Sequence, residues 1–319
     1  MALTDAPRGC VALTGASGFV GAAIARRLSA AGWGLRLLVR AGSEARVPAL
    51  AHAEIVTGGL ADRHAVEHLL AGATTLVHCA GAVRGATGAD FERVNVTGTQ
   101  TLLDAAPPAL RVVHISSLAA RHPPLSHYAA SKRSGELRVI EALPAHRRVV
   151  LRPPAVYGPG DRELRPLLDA MLRGLAVIPG PPGARFSLLH VDDLARLVAG
   201  VLADDAGWGV IHEPDDGHPG GYAWADLLTA VAALRGRPVR CLHVPGGVLS
   251  VLGAGNALLA RLVGRAPMLT PGKARELRWP DWVSAGNASL AGTGWQPSLG
   301  LAAGLRSTLA PAAVAGRTD

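Results

Sequence analysis

Thr14-Gly15-Ala16-Ser17-Gly18-Phe19-Val20-Gly21 is a glycine-rich segment between a short apolar run, residues 11–13, and a segment with helical periodicity, residues 20–31. Glycines at this spacing permit a tight turn, close approach of the backbone to a pyrophosphate, and close packing of the helix against the strand. The phosphate then lies at the helix N-terminus. The segment predicts a dinucleotide-binding turn, although a chain with 39 glycines also contains ordinary glycine-rich turns.

Strand-like and helix-like segments continue to alternate after this turn. They lie at residues 35–39, 54–56, 63–70, 75–79, 90–105, 112–115, 128–142 and 148–151. Apolar strands separated by amphipathic helices are typical of a parallel sheet that is covered on both faces. The sequence therefore predicts an α/β fold built on a doubly wound parallel sheet.

The alternation changes after Arg152, where prolines become frequent. They stand at Pro153, Pro154, Pro159, Pro166, Pro179, Pro181 and Pro182. Prolines shorten helices and strands, so a second region is expected to begin here. A helix at 192–202 and a strand near 209–212 are expected to return to the sheet, and helices at 224–234 and 249–263 to form a smaller lobe. The predicted organisation is a dinucleotide-binding domain over 1–180, to which 187–212 returns, and a mainly substrate-binding lobe over 181–319.

Composition excludes several classes of protein. The 319 residues are 49% hydrophobic and 18% charged, with a mean hydropathy of +0.25, so we expect a globular chain with a large core. The net charge of +8 raises the question of nucleic acid. However, the basic residues are scattered, and three Phe, six Trp and three Tyr provide no platform on which bases would stack. Nucleic-acid binding is not expected.

The cysteines and the apolar stretches bear on the cellular compartment of the protein and on whether it spans a membrane. Cys10, Cys79 and Cys241 are odd in number and widely spaced, which favours neither a disulfide framework nor a zinc cluster. The N-terminal residues do not read as a secretory signal. The longest uncharged stretch, 244–260, is broken by Pro and Gly and is shorter than the roughly 20 residues of a spanning helix. We expect a cytoplasmic protein without a transmembrane segment.

The residue at the end of the second strand bears on the choice of cofactor. An NAD site usually has an acidic residue there to bind the ribose 2′-hydroxyl, but this chain has Arg40, with Ser43 nearby. A guanidinium suits the 2′-phosphate of NADP through charge-assisted hydrogen bonds. The sequence favours NADP(H), with NAD(H) as the alternative, and an exposed arginine without a ligand is the other interpretation.

A serine pair and a Tyr-x-x-x-Lys pattern point to acid–base chemistry. Ser116 and Ser117 follow the fifth strand, and Tyr128 and Lys132 lie one helical turn apart on the next helix. A phenol with an ordinary pKa near 10 is a poor acid–base group at neutral pH, so we expect the Lys132 ammonium to lower the pKa of Tyr128. Lys132 and Lys273 are the only lysines in the chain, which indicates that the ammonium at position 132 has a chemical purpose.

Further motifs match one family. They are His78-Cys79-Ala80-Gly81, Val94-Asn95-Val96-Thr97-Gly98-Thr99, and residues 152–160, 190–195, 294–297 and 304–305. With the glycine-rich turn and the Tyr-x-x-x-Lys pattern, the chain resembles the extended branch of the short-chain dehydrogenase/reductase superfamily. That branch includes NAD(P)-dependent epimerases, dehydratases, dihydroflavonol-type reductases and 3β-hydroxysteroid dehydrogenases. The resemblance covers nearly the whole chain and implies a Rossmann-type sheet with a smaller, interleaved C-terminal substrate lobe.

The resemblance implies a role for each residue of the candidate catalytic set. Tyr128 is the general acid/base, Lys132 lowers its pKa and binds the ribose, and Ser117 orients the substrate carbonyl or alcohol, with Ser116 as the alternative serine. Asn95 aligns with an asparagine that supports a proton relay in shorter members, and a structural role within its helix is at least as consistent with the sequence.

The resemblance also implies a set of residues that contact the cofactor. They are Gly15, Ser17, Gly18, Phe19, Val20, Gly21, Arg40, Leu60, Ala80, Gly81, Tyr128, Lys132, Pro153 and Val156. The family often has Gly-Asp-Leu after the third strand, whereas this chain has Gly58-Gly59-Leu60, so adenine recognition is expected to rest on Leu60 and backbone groups. A homodimer paired through the helices at 90–105 and 128–142 is implied as well.

Two other polar patterns do not predict a metal site or further catalytic residues. His64 and His68 are four residues apart on a helix, but no third ligand at a fitting spacing follows, so no metal site is predicted. Asp192 and Asp193 stand where a helix is expected to begin, and stabilisation by the helix dipole explains them more simply than acid–base catalysis.

The second region leaves several functions open. Its apolar residues fit either a packed core or a hydrophobic substrate lid, and they are Leu249, Val251, Leu252, Leu258, Leu259, Leu262 and Val263. Arg185 is a candidate cation for a substrate diphosphate, but no complete nucleotide-sugar signature accompanies it.

The first hypothesis is an NADP(H)-dependent oxidoreductase acting on a carbonyl or secondary alcohol of a fairly apolar small molecule. The alternatives are a nucleotide-sugar epimerase or dehydratase and a non-catalytic NAD(P)-binding assembly subunit.

Overall fold

The computed structural model describes residues 8–244 and 270–310, and its strands define a central sheet and three small ones. In chain order the strands are β1 Cys10–Thr14, β2 Gly34–Val39, β3 Ala53–Thr57, β4 Thr75–His78, β5 Arg111–Ile115, β6 Arg148–Leu151, β7 Ala155–Tyr157, β8 Leu175–Pro179, β9 Arg185–Phe186, β10 Leu188–His190, β11 Ile211–His212, β12 Tyr222–Ala223, β13 Arg240–Val244 and β14 Asp281–Trp282. The central sheet has the order β11-β6-β5-β4-β1-β2-β3, and every neighbouring pair in it is parallel.

Helices cover both faces of this sheet. In chain order they are α1 Phe19–Ala30, α2 Arg63–Leu70, α3 Gly88–Glu92, α4 Gly98–Asp104, α5 His127–Ala142, α6 Arg165–Arg173, α7 Val191–Ala203, α8 Trp224–Arg235, α9 Pro271–Arg278 and α10 Leu301–Leu309. One apolar cluster joins α1 and α7 to the sheet, and a second joins α2, α4 and α5 to its opposite face. The structure therefore confirms the doubly wound, Rossmann-like α/β fold.

The first strand shows why the sequence folds in this way. Val11 and Leu13 belong to the cluster on the α1 side, while Ala12 belongs to the cluster on the α2 side. Successive side chains of a strand point to opposite faces, so a strand that is apolar at every position is buried on both. Such strands form the centre of a parallel sheet rather than its solvent-facing surface.

Several expected helices and strands are found with small shifts of their ends. The helix at 63–70 and the strand at 148–151 have the expected bounds, and the strand expected near 209–212 is β11, which joins the central sheet beside β6. The helix expected at 90–105 is instead divided by a π-helical turn, Arg93–Thr97, between α3 and α4. The helix expected at 249–263 lies outside the described residues.

The second region contains the three small sheets. They are β10-β7, β12-β9-β14 and β13-β8, and they pack with α6, α8 and α10 around a third apolar cluster that includes Tyr157 and Leu168. Among the helices within 8–244 and 270–310, none has the length and apolar character needed to cross a membrane.

Candidate active site

The residues predicted to bind cofactor and substrate lie at one edge of the central sheet. The glycine-rich turn follows β1, Arg40 follows β2, Leu60 follows β3, and Ala80 and Gly81 follow β4. The serine pair follows β5, while Pro153 and Val156 follow β6. Because these strands are parallel, their carboxyl ends lie along the same edge, where open α/β sheets bind their ligands. The topology thus collects residues that are distant in sequence.

The glycine-rich turn requires glycine at two positions. Gly15 has a φ of +84°, and a Cβ atom there would lie 2.8 Å from the backbone nitrogen of Ala80. A Cβ atom on Gly21 would lie 2.2 Å from the carbonyl oxygen of Gly15. The turn therefore packs directly against the end of β4 and against its own helix, as the spacing of the glycines predicts.

The N-terminus of α1 has the character of an anion site. Gly18 is its N-cap and offers no side-chain cap, and no acidic residue stands in the first turn of the helix. The first backbone N–H groups of α1 thus lack an intrahelical acceptor, and the helix dipole favours negative charge beside them. Ser17, Phe19 and Val20 are partly exposed around this terminus. These residues fit the pyrophosphate of a dinucleotide.

A buried histidine that the sequence analysis quoted without a role fixes the loop after β4. His78 lies 2.8 Å from the hydroxyl of Thr14 and 2.9 Å from that of Thr99. Because the Thr99 hydroxyl donates to the carbonyl oxygen of Asn95, it accepts from Nε2–H of His78, and the Thr14 hydroxyl then donates to Nδ1. Burial lowers the pKa of His78 to about 3, so the ring is neutral. The Thr14 oxygen in turn accepts from the backbone N–H of Ala80.

Asn95 lies in the π-helical turn and has a structural function. Its side-chain oxygen accepts from the backbone N–H of Ala82 at 2.7 Å, and its amide donates to the carbonyl of Ala82 and to the hydroxyl of Ser131. The side chain therefore ties the loop that contains Ala80 and Gly81 to helix α5. π-helical turns often occur at functional sites.

Tyr128 and Ser117 come together at the centre of this edge. Burial raises the pKa of Tyr128 to about 12, and the hydrogen bond that Ser117 donates to the phenol oxygen opposes this rise. The carboxylates of Glu276 and Glu163 raise the pKa further. The expectation that Lys132 holds the pKa of Tyr128 below its ordinary value is therefore not met in this structure, because desolvation outweighs the groups that favour the phenolate.

Lys132 lies buried on the same side of α5 as the tyrosine. Its ammonium donates to the carbonyl oxygen of Ile115, the last residue of β5, at 2.7 Å. A Cβ atom on Gly81 would lie 3.7 Å from Nζ, so the ammonium also borders the loop after β4. Burial lowers the pKa of Lys132 to about 8. The lysine is thus still cationic at neutral pH, and it lies between the strand end and the predicted cofactor loop.

The two serines of the pair have different partners. Ser116 is buried and its hydroxyl donates to Glu136 at 2.5 Å, whereas Ser117 contacts Tyr128. Glu136 is fully buried and accepts two hydrogen bonds from Arg152, at 2.8 and 2.6 Å. Such a bidentate ion pair holds its partners in a fixed geometry. The structure therefore leaves Ser117, not Ser116, beside the phenol.

The Glu136–Arg152 pair was missed by the sequence analysis. The available signal was an acidic residue four positions after Lys132, on the face of α5 that also carries the candidate catalytic residues. A carboxylate on the buried face of a helix needs a partner, and Glu136 has two, Arg133 on the same helix and Arg152 after β6.

A second missed contact joins the two regions of the chain at the start of α5. Ser126, the N-cap of α5, accepts from the backbone N–H of Ala129 at 2.9 Å and donates to Glu276 of α9. Glu276 is buried and also pairs with Lys273 at 3.1 Å. Helix α9 is therefore fixed against the N-terminus of the helix that carries Tyr128. The sequence offered no local signal, because 150 residues separate the partners.

Replacing Ser126 with Ala should lower the free energy of unfolding by about 2 kcal/mol, since it removes a helix cap and leaves a buried carboxylate short of a donor. Urea denaturation followed by circular dichroism measures the change. Ser126→Thr keeps the hydroxyl and should retain most of the stability. If Ser126→Ala unfolds within about 0.5 kcal/mol of the unmodified chain, the contact contributes no more than an ordinary surface residue.

Arg40 lies where the sequence places it, exposed directly after β2. Within the described residues its guanidinium has no hydrogen-bond or ion-pair partner. Ser43 is buried, and its hydroxyl accepts from the guanidinium of Arg46 at 2.5 Å. Arg46 was not singled out from the sequence. The end of β2 thus carries two exposed arginines and a serine.

The remaining predicted residues are placed as follows. Leu60 is partly buried and packs toward Gly98, where a Cβ atom would lie 2.7 Å from Leu60 Cδ1. Pro153 accepts a backbone hydrogen bond from Leu118, directly after the serine pair, and Val156 is partly buried in β7. Arg185 donates to two carbonyl oxygens, those of Gly220 and Gly221, each at 2.6 Å. Its guanidinium therefore has a structural use in the second region.

The other polar patterns show no sign of a metal site. His68 pairs with Glu54 on the surface at 2.9 Å. In the parts of the chain that the structure describes, no group of three or more His, Cys, Asp and Glu side chains is arranged to hold a metal ion. Asp193 is buried in the first turn of α7 and accepts hydrogen bonds from Ser298 and from the backbone of Leu299. It fixes the C-terminal segment rather than reacting.

The fold and the site together define a Rossmann-type enzyme that binds a nicotinamide dinucleotide. A family model described as the NAD dependent epimerase/dehydratase family matches residues 11–210. The chain belongs to this family, and the resemblance to extended short-chain dehydrogenases/reductases is confirmed. It is an NAD(P)-dependent enzyme of that extended type, which removes the non-catalytic assembly subunit from the hypotheses.

Individual proteins with similar sequences or structures agree with this assignment. Ceramide reductase of Caulobacter vibrioides (strain NA1000 / CB15N) is 37% identical over 282 residues, which cover 88% of this chain and 87% of that protein. The 2-alkyl-3-oxoalkanoate reductase of Stenotrophomonas maltophilia (strain K279a) is 28% identical, covering 95% of this chain and 99% of that one. MoeE5, solved in complex with UDP-glucuronic acid and NAD, has a TM-score of 0.71 at 20% identity, covers 94% of this chain and 97% of its own, and shows the shared fold.

Proposed function

We propose that this protein is an NADP(H)-dependent reductase of a carbonyl group on a long-chain, lipid-like molecule. The observation that carries the proposal is the ceramide reductase similarity over 88% of the chain, combined with the Ser117–Tyr128 contact. The second relative is named as a reductase of a 2-alkyl-3-oxoalkanoate, a molecule with a carbonyl group on an alkyl chain. The residues at the site support the same chemistry, since a phenol beside a serine hydroxyl can protonate a carbonyl oxygen.

The residues of the sheet edge fit a nicotinamide dinucleotide in a definite order. The turn at Gly15 and the N-terminus of α1 would hold the pyrophosphate, Ala80 and Gly81 would border the ribose beside the nicotinamide, and Lys132 would donate to its hydroxyls. When bound, the cofactor supplies or accepts the hydride. Leu60 and the backbone around it would line the adenine pocket, and Pro153 with Val156 would border the nicotinamide.

A side chain of the protein would supply the proton that the substrate oxygen receives. Because the pKa of Tyr128 is about 12, the phenol is protonated throughout the neutral range and is ready to act as the acid in a reduction. Ser117 would hold the substrate oxygen beside the phenol, and the cationic Lys132 would favour the phenolate that forms when the proton leaves. Glu136, Arg152 and Ser126 support this arrangement by fixing the ends of β5, β6 and α5.

The preference for NADP(H) rests on charge at the end of β2. Arg40 is exposed without an intramolecular partner in the described chain, and Arg46 lies close by through its contact with Ser43. Two guanidinium groups in this loop outweigh its one carboxylate, that of Glu44, and a net positive charge favours a 2′-phosphate over a 2′-hydroxyl.

Replacing Arg40 with Asp should reverse or abolish the preference for NADPH, because a carboxylate repels the 2′-phosphate and accepts a hydrogen bond from a 2′-hydroxyl. A charged hydrogen bond contributes about 1.5–3 kcal/mol, so NADPH should bind at least tenfold more weakly. Calorimetric titration with NADPH and NADH measures both affinities, and Arg26→Asp, on the exposed side of α1, is the matched control. Equal affinities for the two cofactors in the unmodified chain would contradict the proposal.

A nucleotide-sugar epimerase or dehydratase is the second candidate, because the family is described as epimerases and dehydratases and MoeE5 was solved with UDP-glucuronic acid bound. An epimerase returns its cofactor to the starting redox state in each cycle, whereas a reductase consumes one NADPH for each product. Arg185, the cation considered for a diphosphate, is already committed to Gly220 and Gly221.

Spectrophotometric turnover separates the two candidates. The purified chain is assayed with NADPH and with NADH against long-chain 3-oxo lipids of ceramide type, 3-oxoalkanoic acids, steroid ketones and UDP-sugars. We expect net NADPH oxidation with the first two groups. Conversion of a UDP-sugar without net NADPH oxidation would establish that the protein is an epimerase or dehydratase. It would overturn the proposed reductase function.

We infer that the substrate binds mainly through residues 181–319, that residues 1–180 with 187–212 hold the cofactor, and that two chains pair through α4 and α5. Leu137, an exposed apolar residue of α5, supports such pairing. Action in the cytoplasm fits the three free cysteines, because a reducing compartment keeps thiols unpaired.

A further inference from the structure

A two-stranded parallel sheet, β8 with β13, stands apart from the central sheet and is called the ribbon below. Val177 pairs with Leu242, and Leu175 pairs with Arg240, so these four side chains share one face of the ribbon. The alternate residues of β8, Ala176 and Ile178, are buried in the third apolar cluster. The ribbon therefore has one face in the core and one face outside it.

The outer face of the ribbon is unusually apolar for an exposed surface. Leu175 is 42% exposed, Val177 44% and Leu242 57%, and these three are among only seven large hydrophobic residues that are exposed in the described parts of the chain. Single exposed apolar residues are ordinary, but a group on one face marks an interaction surface. These three exposed apolar residues therefore indicate that the outer face of the ribbon binds another molecule.

Positive charge borders the same face. Parallel strands begin at the same end, so Arg173, which ends α6 just before β8, and Arg237, just before β13, gather there with Arg240. The guanidinium of Arg235 donates to the carbonyl oxygens of Leu172 and Pro238 beside them. Residues 170–180 and 235–244 contain no Asp or Glu. The two segments that form the ribbon thus carry a net positive charge, and Asp169, the acidic residue just before the first segment, pairs with Arg165.

We propose that the outer face of the ribbon docks on the surface of a lipid bilayer that carries anionic headgroups. Apolar side chains that enter the headgroup boundary, with arginines at the level of the phosphates, are the arrangement by which proteins lie on membranes without spanning them. A nucleic acid would use the arginines and leave Leu175, Val177 and Leu242 without a role. Charge and apolar surface together therefore favour a lipid surface.

Docking would give the enzyme access to its substrate, and this purpose rests on the proposed function. A long-chain lipid resides in the bilayer, so an enzyme bound at the surface meets it at high local concentration. The docking itself does not depend on turnover, because vesicle binding is measured without substrate. Failure of the proposed reaction and failure of the docking are therefore separate results.

Co-sedimentation of the full chain with vesicles tests the proposal. Vesicles of phosphatidylcholine and phosphatidylglycerol in equal parts should bind the protein, and vesicles of phosphatidylcholine alone should bind it more weakly. Arg240→Gln and Arg237→Gln should each weaken binding about fivefold, the usual effect of one basic residue near an anionic surface. Val177→Ser combined with Leu242→Ser should weaken it about tenfold or more.

Two control variants keep the measurement specific. Val210→Ser removes an apolar residue of similar exposure, 44%, at another surface, and Arg26→Gln removes an exposed arginine of α1. Both should bind vesicles as the unmodified chain does. Each variant is first shown to bind NADPH with unchanged affinity, which establishes that its dinucleotide domain is folded.

Other occupants of the face give different results, and each of them overturns the proposal. If neither kind of vesicle binds the unmodified protein, the outer face of the ribbon is not a membrane-docking surface. If Val177→Ser with Leu242→Ser converts a larger species to a smaller one in light scattering, a second copy covers it. Equal vesicle binding by the ribbon variants and the controls would also reject the docking surface.

Discussion

Tyr128→Phe should lower turnover by about 10²- to 10⁴-fold, the range that a general acid/base group typically contributes. The substitution removes one oxygen atom and leaves the aromatic ring, whose centroid lies 6.2 Å from that of Phe91. The helix that carries it keeps its N-cap at Ser126 and its contacts with β5. The loss should therefore appear in kcat, with cofactor affinity and unfolding midpoint nearly unchanged.

The protonation state of the phenol decides how the loss depends on pH. Since burial raises the pKa of Tyr128 to about 12, the acid form is complete across the neutral range, and reduction should show no loss of the phenol proton until strongly alkaline pH. We expected from the sequence that the group titrating below an ordinary phenol would be Tyr128. In the structure that group is Lys132, whose pKa is about 8.

Single-turnover measurement with saturating NADPH separates chemistry from binding. Ser117→Ala should also slow the chemical step, while Ser116→Ala should act mainly on stability, because Ser116 donates to Glu136 and not to the phenol. Unchanged turnover in Tyr128→Phe would reject the acid–base assignment. Equal effects of the two serine substitutions on the chemical step would remove the distinction drawn between them.

The sequence predicts those parts of the site that depend on local geometry. The turn from Gly15 to Gly21 places its own helix, since Gly15 and Gly21 are required by contacts with the adjacent strand end and within the turn. Tyr128 and Lys132 are adjacent through helical periodicity alone. The carboxyl edge collects these groups because the strands are parallel, which follows from the alternation of strand and helix patterns.

Contacts between distant residues and the effects of burial could not be obtained in this way. Ser126 and Glu276 approach each other only after the second region has packed against α5, and no periodic pattern records that packing. The raised pKa of Tyr128 is likewise a property of the solvent excluded around it rather than of its neighbours in sequence. The apolar residues at 249–263, for which a core or a lid was expected, lie outside the described residues.

The partners of Glu136 also could not be predicted from the sequence. Its spacing from Lys132 places it on the buried face of α5, but only the assembled sheet brings Arg152 and Ser116 to the two oxygens of its carboxylate. The ion pair raises the pKa of the Arg152 guanidinium, and a buried pair of this kind is costly unless its geometry is precise. The sequence therefore indicates that a partner is needed without identifying it.

Lys132→Met should abolish most activity and yet make the protein more stable at neutral pH. Burial lowers the pKa of Lys132 from 10.5 to about 8, which means that the folded protein holds the ammonium at a cost of about 3 kcal/mol. Methionine has a similar length and no charge, so the substitution removes this cost. The lost hydrogen bond to the carbonyl of Ile115 offsets about 1 kcal/mol, which leaves a net gain of about 2 kcal/mol.

The pH dependence of the free energy of unfolding tests whether the buried Lys132 ammonium destabilises the fold. Between the folded pKa of about 8 and the unfolded value of 10.5, the unfolded chain binds a proton at Lys132 that the folded chain does not. The unmodified protein should therefore gain stability as pH rises from about 8 to 10.5, relative to Lys132→Met, which lacks this titration. Chemical denaturation across that range, with the difference between the two proteins plotted against pH, measures the effect.

Two matched variants separate the cost of the buried charge from its chemical use. Lys132→Arg keeps the charge but places a planar guanidinium where a compact ammonium lies, so it should lose activity without gaining stability. Lys273→Met removes the other lysine of the chain, which is 45% exposed and pairs with Glu276, and should give no gain either. A Lys132→Met protein that is less stable than the unmodified chain at neutral pH would show that the ammonium contributes to the fold, and that its retention needs no catalytic explanation.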